Sequence, residues 1–505
     1  MLSQVHSFVL RGIEAIACEV ETDIADRGVA KSTVVGLPDA SVKESLERVH
    51  SAIVNSGYPF PAQRLLVNLA PADLKKEGPV YDLPIAVGLL LANQTIDSQI
   101  HRKIMFAGEL ALDGRLRPIK GAISMAMLAK QMKLDGIVLP LDNAPEAAAV
   151  GHELAVYPAD SLASVVAFLN GQREIEPHPP FDAEQYIAGA PPEVDFSDVR
   201  GQEAVKRALT IAAAGSHNVL MIGPAGTGKT LCAKALPGVL PPLSRDEAMQ
   251  TTSIWSAAGM MKNGEALMMR RPYRSPHHTA SAPALIGGGT IPRPGEVSLA
   301  HHGVLFLDEL PEFSRTVLET LRQPLEDGVV TIARAHSAIR FPARFMLVAA
   351  MNPTRSGDFA TDESSQRDMD RYLSRISGPL IDRIDIHVEV PRIPFHQLAS
   401  TPNGTDTKTM REQVIAARSV QTDRHGSPLK TNATLSGRQL DKFAKLDAAG
   451  QELLRQAMTD LGLSARAYDK VRRVSRTIAD LENSTDVREQ HVAEAISYRL
   501  LDRKM

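Results

Sequence analysis

The 505-residue sequence holds two cysteines, one tryptophan and an aromatic share of only 4%. Cys18 and Cys232 lie far apart, and neither has a neighbour at metal-ligand spacing. That excludes a disulfide framework and a cysteine-built zinc site. Net charge is −3, so any nucleic-acid contact must come from local basic patches and not from the chain as a whole. The most apolar run, "LPIAVGLLLA" (83–92), is about half the length that crosses a bilayer. The opening "MLSQVHSFVLRGIEAIACEVE" lacks the basic-then-apolar order of a secretion signal. A cytoplasmic protein with no membrane partner is expected.

What is present is ordinary globular material, 44% hydrophobic and 23% charged, long enough for two to four domains. Residues 1–170 alternate β-rich and helical runs, as in an α+β domain. There, Ser41 and Glu44 are read as a capping box for a helix carrying Val42, Leu46, Val49 and Ile53. "IMFAGELALDGRLRPI" is read as two strands joined at Asp113-Gly114. A Pro-rich linker is expected over 171–195, then an α/β core of alternating strands and helices over 196–395. A polar connector near 400–432 and further helices complete the region 396–505.

"HNVLMIGPAGTGKTLCAKAL" (217–236) is a strand, a glycine-rich turn and a helix. The turn, Gly223-Pro224-Ala225-Gly226-Thr227-Gly228-Lys229-Thr230, fits a phosphate-binding loop whose backbone N–H groups cradle ATP. Lys229 is expected on the β/γ-phosphates and Thr230 on Mg²⁺. "GVLFLDEL" (303–310) is a buried strand that delivers Asp308 and Glu309 to the carboxyl edge of the sheet. Asp308 is the expected second Mg²⁺ holder, and Glu309 the base that activates water. "ARFMLVAAMNP" (343–353) is a third core strand, ending in Asn352, an amide placed to position that water.

Two pairs, His277-His278 and His301-His302, flank a glycine-rich run. Read as strand neighbours they point to opposite faces, so neither pair is expected to chelate one ion. Two stretches are basic. "GVVTIARAHSAIRFPARF" (328–345) alternates as a β-hairpin and offers Arg334, His336, Arg340 and Arg344. "MMKNGEALMMRRPYR" (260–274) offers Lys262, Arg270, Arg271 and Arg274. Positive tips on loops suffice for phosphate contacts with DNA, although ordinary exposed hairpins would read the same way.

Together these residues resemble an AAA+ ATPase. "RPYRSPHHTASAPALIGGG", "PRPGEVSLAHHGVLFLDELPEF", "LRQPLEDG" and "ISGPLIDRIDIHVEVP" resemble the magnesium-chelatase-like ComM/YifB family, and the likeness runs over nearly the whole chain. It implies an insertion between the phosphate loop and Asp308 that contains both His pairs. It also implies a homo-hexamer, Arg383 as a finger acting on a neighbour's ATP, and Arg466 as the arginine a helical lid brings to nucleotide. The helix of Arg466 also carries Lys470, Arg472, Arg473 and Arg476, expected on a solvated face or between subunits. Many family members place zinc-spaced cysteines after the Asn-Pro step; "TRSGDFATDESSQRDMD" has none, so no zinc is expected.

The front part, through "VGLPDASVKESLERV", "VNLAPADLKKEGPVYDLPIA" and "GELALDGRLRPIKGA", is similar to the Lon protease proteolytic domain. Laid on that pattern, the nucleophile and lysine positions hold Asp82 and Ile123, which cannot cleave peptides. The resemblance therefore implies a DNA motor, a helicase driving branch migration in homologous recombination and natural transformation. The alternatives are a Lon-like protease, remodelling of a protein, and Mg²⁺ insertion into a porphyrin. The last needs partner subunits, and the front half looks foreign to a chelatase motor subunit.

Overall fold

The structure, a computed structural model, describes residues 1–25, 31–181, 191–289, 292–334, 337–354, 372, 374–394, 404–499 and 501. The chain divides into two compact units. One comprises Met1–Tyr186 with Ser244–Met269, the other Ile187–Leu243 with Arg270–Met505.

The front unit is built on a seven-stranded mixed sheet. Its strands are β1 (Leu2–Arg11), β2 (Glu14–Ile24), β3 (Ser32–Val35), β4 (Leu65–Ala70), β5 (Ile104–Phe106), β8 (Gly136–Pro140) and β9 (Ala155–Ala159), ordered β3-β4-β2-β1-β5-β8-β9. The remaining pair, β6 (Glu109–Leu110) and β7 (Leu116–Arg117), forms a separate ribbon. Its turn runs through Gly114, which donates to Ala111 O at 2.9 Å. The expected strand over 104–110 is thus two strands in different sheets.

The first helix, Ala40–Asn55, buries Val42, Leu46, Val49 and Ile53 as their spacing predicts. Its cap is Asp39, not Ser41: Asp39 accepts from Val42 N at 2.8 Å. The same side chain also takes Gly78 N at 3.3 Å, a tertiary bond that selects the earlier cap.

Asp82 opens the helix Asp82–Ala92 and is wholly buried. It receives Arg48 Nε at 2.9 Å and Arg48 Nη2 at 3.0 Å, with Leu110 N at 3.2 Å. Burial pushes its carboxyl up against the pull of Arg48. Ile123 is an equally buried aliphatic side chain, its N–H held by Glu146 at 2.8 Å. Arg48→Ala, which strands the Asp82 charge in the core, is expected to cost about 3–5 kcal/mol, read from denaturant unfolding of the full chain.

A helix from the middle of the sequence, Arg245–Ala258, completes this unit. Ser244 and Glu247 form its capping box. Ser256 Oγ near its end accepts Gly121 N at 2.8 Å, at the start of the helix Ala122–Gln131, where Gly121 takes φ +76°. A residue with a side chain would be strained there.

The second unit carries a five-stranded, all-parallel sheet. Its members are β10 (Val219–Ile222), β11 (Tyr273–Arg274), β14 (Val304–Leu307), β17 (Met346–Met351) and β18 (Ile386–Glu389), ordered β11-β14-β17-β10-β18. Every residue of β10, β14 and β17 is buried, the continuous apolar run required when helices cover both faces. Between them lie two ribbons. One joins β12 (Gly287–Gly288) to β13 (Arg293–Pro294), the other β15 (Val329–Arg334) to β16 (Ser337–Pro342).

Beyond β18 the described residues form helices. The expected polar connector is wrong over most of its length: Thr407–His425 is a helix. It packs on the helix Glu203–Gly215 through a thin buried stripe of Met410, Val414, Ala417 and Gln421. Gln421 donates to Ala214 O at 3.0 Å.

The basic helix Ala465–Leu481 also departs from expectation. Lys470, Arg472 and Arg476 are buried rather than solvated. Lys470 donates to Ile384 O at 2.9 Å, and Arg472 to Asp441 at 3.0 Å and to Leu440 O at 3.1 Å. Arg476 reaches Asp480 at 3.0 Å. Their charges are consumed within the chain, by partners a local reading does not place.

Candidate ATP site

The register of the parallel sheet aligns three strand ends. Ile222 stands opposite Met351, and Leu307 opposite Ala349. Gly223, Asp308 and Asn352, each following its strand directly or one residue on, therefore share the carboxyl edge. Gly223 passes so close to β18 that a Cβ would meet Val390 O at 2.2 Å. Gly226 and Gly228 take φ +77° and +91°, which only glycine adopts without strain. The turn through Pro224, Ala225 and Thr227 is closed by Thr227 Oγ1 donating to Pro224 O at 3.0 Å.

Lys229 starts the helix Lys229–Ala235, and its ammonium sits inside the turn. It donates to Gly223 O at 2.6 Å, Pro224 O at 2.8 Å and Asn352 Oδ1 at 3.2 Å. Burial pushes its pKa down, against the pull of Asp308 and Glu309. Thr230 Oγ1 lies 3.1 Å from Asp308 Oδ2. The expected residues are thus assembled: an ammonium held by carbonyls, an amide on it, and a hydroxyl beside a carboxylate. Such hard oxygens suit Mg²⁺, and open glycines beside a lysine suit a polyphosphate.

Glu309 is the exposed member. It takes φ +51° and ψ +48°, and its Oε2 lies 3.4 Å from His278 Nδ1. Two contributors were not legible in sequence. Gln202 braces the loop from outside, donating to Thr227 O at 3.3 Å and Pro391 O at 2.7 Å, and His278 reaches Glu309 from the insertion.

The arginines lie elsewhere. Asp385 and Ile386 donate to Asn218 O, which precedes β10, so residues 382–385 occupy the sheet edge opposite Gly223. Arg383 pairs with Glu326. Arg466 pairs with Asp382 at 2.8 Å. The structure thus brings neither arginine to the phosphate loop of its own chain, and both gather at the far edge.

The His pairs sit in turns rather than strands, so the opposite-faces argument fails. Within each pair the rings are neighbours, with centroids 4.1 Å and 3.9 Å apart. His301 is nearly fully buried. Its Nδ1 accepts Arg344 N at 3.0 Å, and burial, then His302 and Arg344, push its pKa down to about 2. It therefore acts as a neutral acceptor at the root of the β15–β16 ribbon.

The ribbon itself forms as the alternation predicts. Arg334 ends β15 and Arg340 is exposed on β16, whereas His336 lies outside the described residues. In the second basic stretch Arg271 donates to Pro241 O and His302 O, and Arg274 clamps Glu296 at 2.6 Å and 2.7 Å. These two are structural. Lys262 is exposed and belongs to the front unit, 3.8 Å from Glu265. The cysteine-free segment falls mainly on 355–371, outside the described residues. No described helix is long and apolar enough to cross a membrane.

Comparison with known proteins agrees with this geometry. Residues 195–398 match the family model described as "Magnesium chelatase, subunit ChlI", and 404–499 its C-terminal counterpart. Residues 20–143 match the model described as "Subunit ChlI of Mg-chelatase". The chain is 44% identical over 506 residues to the competence protein ComM of Haemophilus influenzae, covering 99% of this chain and 98% of that one. It is 44% identical over 508 residues to YifB of Escherichia coli, at the same coverage. The magnesium-chelatase 38 kDa subunit of Rhodobacter capsulatus is 26% identical over 341 residues, 61% of this chain and 88% of that one. With a phosphate loop, an acidic strand end and an amide meeting at one sheet edge, the chain belongs to the ComM/YifB family of magnesium-chelatase-like AAA+ ATPases.

Proposed function

We propose that the protein is a hexameric, ATP-driven DNA motor that moves branch points during homologous recombination. Lys229 and the loop amides hold the phosphates, and Thr230 and Asp308 hold Mg²⁺, which when bound neutralises phosphate charge. Glu309 takes the proton of the attacking water, and Asn352, already tied to Lys229, orients that water. Arg383 and Arg466 face away from their own loop, so a nucleotide they serve belongs to the next subunit. That placement favours a ring over an independent monomer. The relative named as a competence protein fits DNA handling during transformation.

The observation that carries the DNA reading is the β15–β16 ribbon. It stands immediately before β17, the strand that Asn352 follows, with Arg340 exposed and its root fixed by the His301–Arg344 bond. An exposed arginine on such a ribbon can grip phosphates without reading bases. The front unit, with Asp82 and Ile123 at the dyad positions, acts as a scaffold or collar and not as a protease. Neutralising Arg334 and Arg340 together is expected to leave basal ATPase intact and to abolish its stimulation by single-stranded DNA. Wild-type binding should be insensitive to sequence and weaken steeply between low and physiological salt. Unchanged DNA stimulation in the double variant would contradict the grip.

A further inference from the structure

We infer that Asn218 is a positioning residue that fixes Arg383 for the ATP of the neighbouring subunit and ties it to this chain's own phosphate-loop strand. The inference rests on the proposed role of Arg383 as a finger. Asn218 is the last residue before β10. The next residue, Val219, pairs with Val348 of β17 on one side and with Ile386 of β18 on the other. The Asn218 amide bridges those two neighbours. Its Nδ2 donates to Arg383 O at 2.9 Å, and its Oδ1 accepts from Leu347 N at 2.9 Å. A carbonyl only accepts and a backbone N–H only donates, so one orientation of the amide satisfies both. Asn218 N also donates to Asp385 Oδ2 at 3.2 Å, and its O accepts from Asp385 N and Ile386 N, each at 3.0 Å.

A ladder of three parallel strands needs only main-chain bonds, so the two side-chain bonds serve a further purpose. They hold the turn that carries Arg383. That turn leaves the short helix Gly378–Ile381, and its next carbonyl, Ile384 O, is held from the other side. Lys470 Nζ donates to it at 2.9 Å and Arg499 Nη1 at 2.8 Å. The Arg383 side chain is less completely satisfied. It pairs with Glu326, but its buried Nε has no hydrogen-bond partner among the described residues. A fixed main chain under an incompletely paired guanidinium suits a group whose working partner lies on another subunit. From Asn218, β10 runs through four buried residues to Gly223, and from Leu347, β17 runs to Met351, which Asn352 follows. One amide thus sets the finger against both strands that end at this chain's own nucleotide edge. A shift of either strand when ATP binds is passed to Arg383, and so to the next site in the ring.

The test is steady-state ATP hydrolysis by mixtures of full-length variants. Lys229→Ala subunits supply fingers, Arg383→Ala subunits supply pockets, and this parent mixture sets the reference rate. Asn218→Asp keeps an oxygen for Leu347 N but turns a second oxygen against Arg383 O. Placed in the Lys229→Ala subunits, it is expected to lower the recovered kcat about tenfold or more with KM for ATP unchanged, because a slightly misplaced catalytic group carries a loss of that order. Placed in the Arg383→Ala subunits it should cost far less, since those subunits have no finger to position. Should Asn218→Asp fail to fold, Asn218→Ala carries the same expected asymmetry. Equal losses in the two arrangements mark a purely structural role and overturn the inference. A parent mixture that recovers no hydrolysis removes the finger reading itself. A parent mixture that recovers and is left unaltered by Asn218→Asp in either place removes only the role of Asn218.

Discussion

Glu309→Gln should bind ATP as the wild type does and hydrolyse it on the order of 10²–10⁴-fold more slowly, the usual worth of a positioned base. The amide keeps the size of the carboxylate and its place after β14, where φ is +51°, but cannot accept the proton. Lys229→Ala should fail earlier, at binding. Lys229 supplies the ammonium now held by Gly223 O, Pro224 O and Asn352 Oδ1, which phosphate oxygens would replace as partners. Equilibrium binding of a fluorescent ATP analogue beside steady-state hydrolysis distinguishes the two defects. Near-wild-type turnover in both variants would remove the site from this edge of the sheet.

Arg383→Ala should retain ATP binding and lose about 10³-fold or more in hydrolysis, the scale of an arginine that completes a neighbour's phosphoryl-transfer site. In the isolated chain Arg383 is parked on Glu326 and only slightly exposed. Its strand starts at the edge opposite Gly223, with Val219 facing Ile386, so it cannot reach the phosphates of its own loop. Mixing Arg383→Ala with Lys229→Ala protein should restore part of the hydrolysis. Lys229→Ala subunits contribute fingers, and Arg383→Ala subunits contribute intact pockets. No recovery on mixing, together with full activity of a monomer, would contradict the shared site.

Sequence made the nucleotide edge legible because its chemistry is local. Eight consecutive residues make the phosphate loop, and a buried strand must deliver Asp308 and Glu309 wherever the sheet ends. The same locality explains the misses. Ser41 and Asp39 are both cap residues, and a distant Gly78 N–H decides between them. Lys470, Arg472 and Arg476 read as a charged face until Ile384 O, Asp441 and Asp480 are placed around them. The helix Thr407–His425 hides because its buried residues are Thr407, Met410, Val414, Ala417 and Gln421, of which only Met410 and Val414 are sizeable apolar side chains. The passage of Ser244–Met269 into the front unit has no local signature. Its capping box at Ser244 and Glu247 announces a helix but not what that helix packs on. The contact of His278 with Glu309 is of the same kind, made by an insertion that folds back across thirty-one positions of sequence.

The most direct test of the motor is a mobile four-way junction incubated with the full-length protein and Mg²⁺. With ATP the junction should be driven to its separated duplex products. With a non-hydrolysable analogue the junction should be bound but left intact, and Glu309→Gln protein with ATP should give the same arrested complex. An ATP-bound protein that binds neither the junction nor single-stranded DNA would contradict the DNA motor and leave an ATPase that acts on protein.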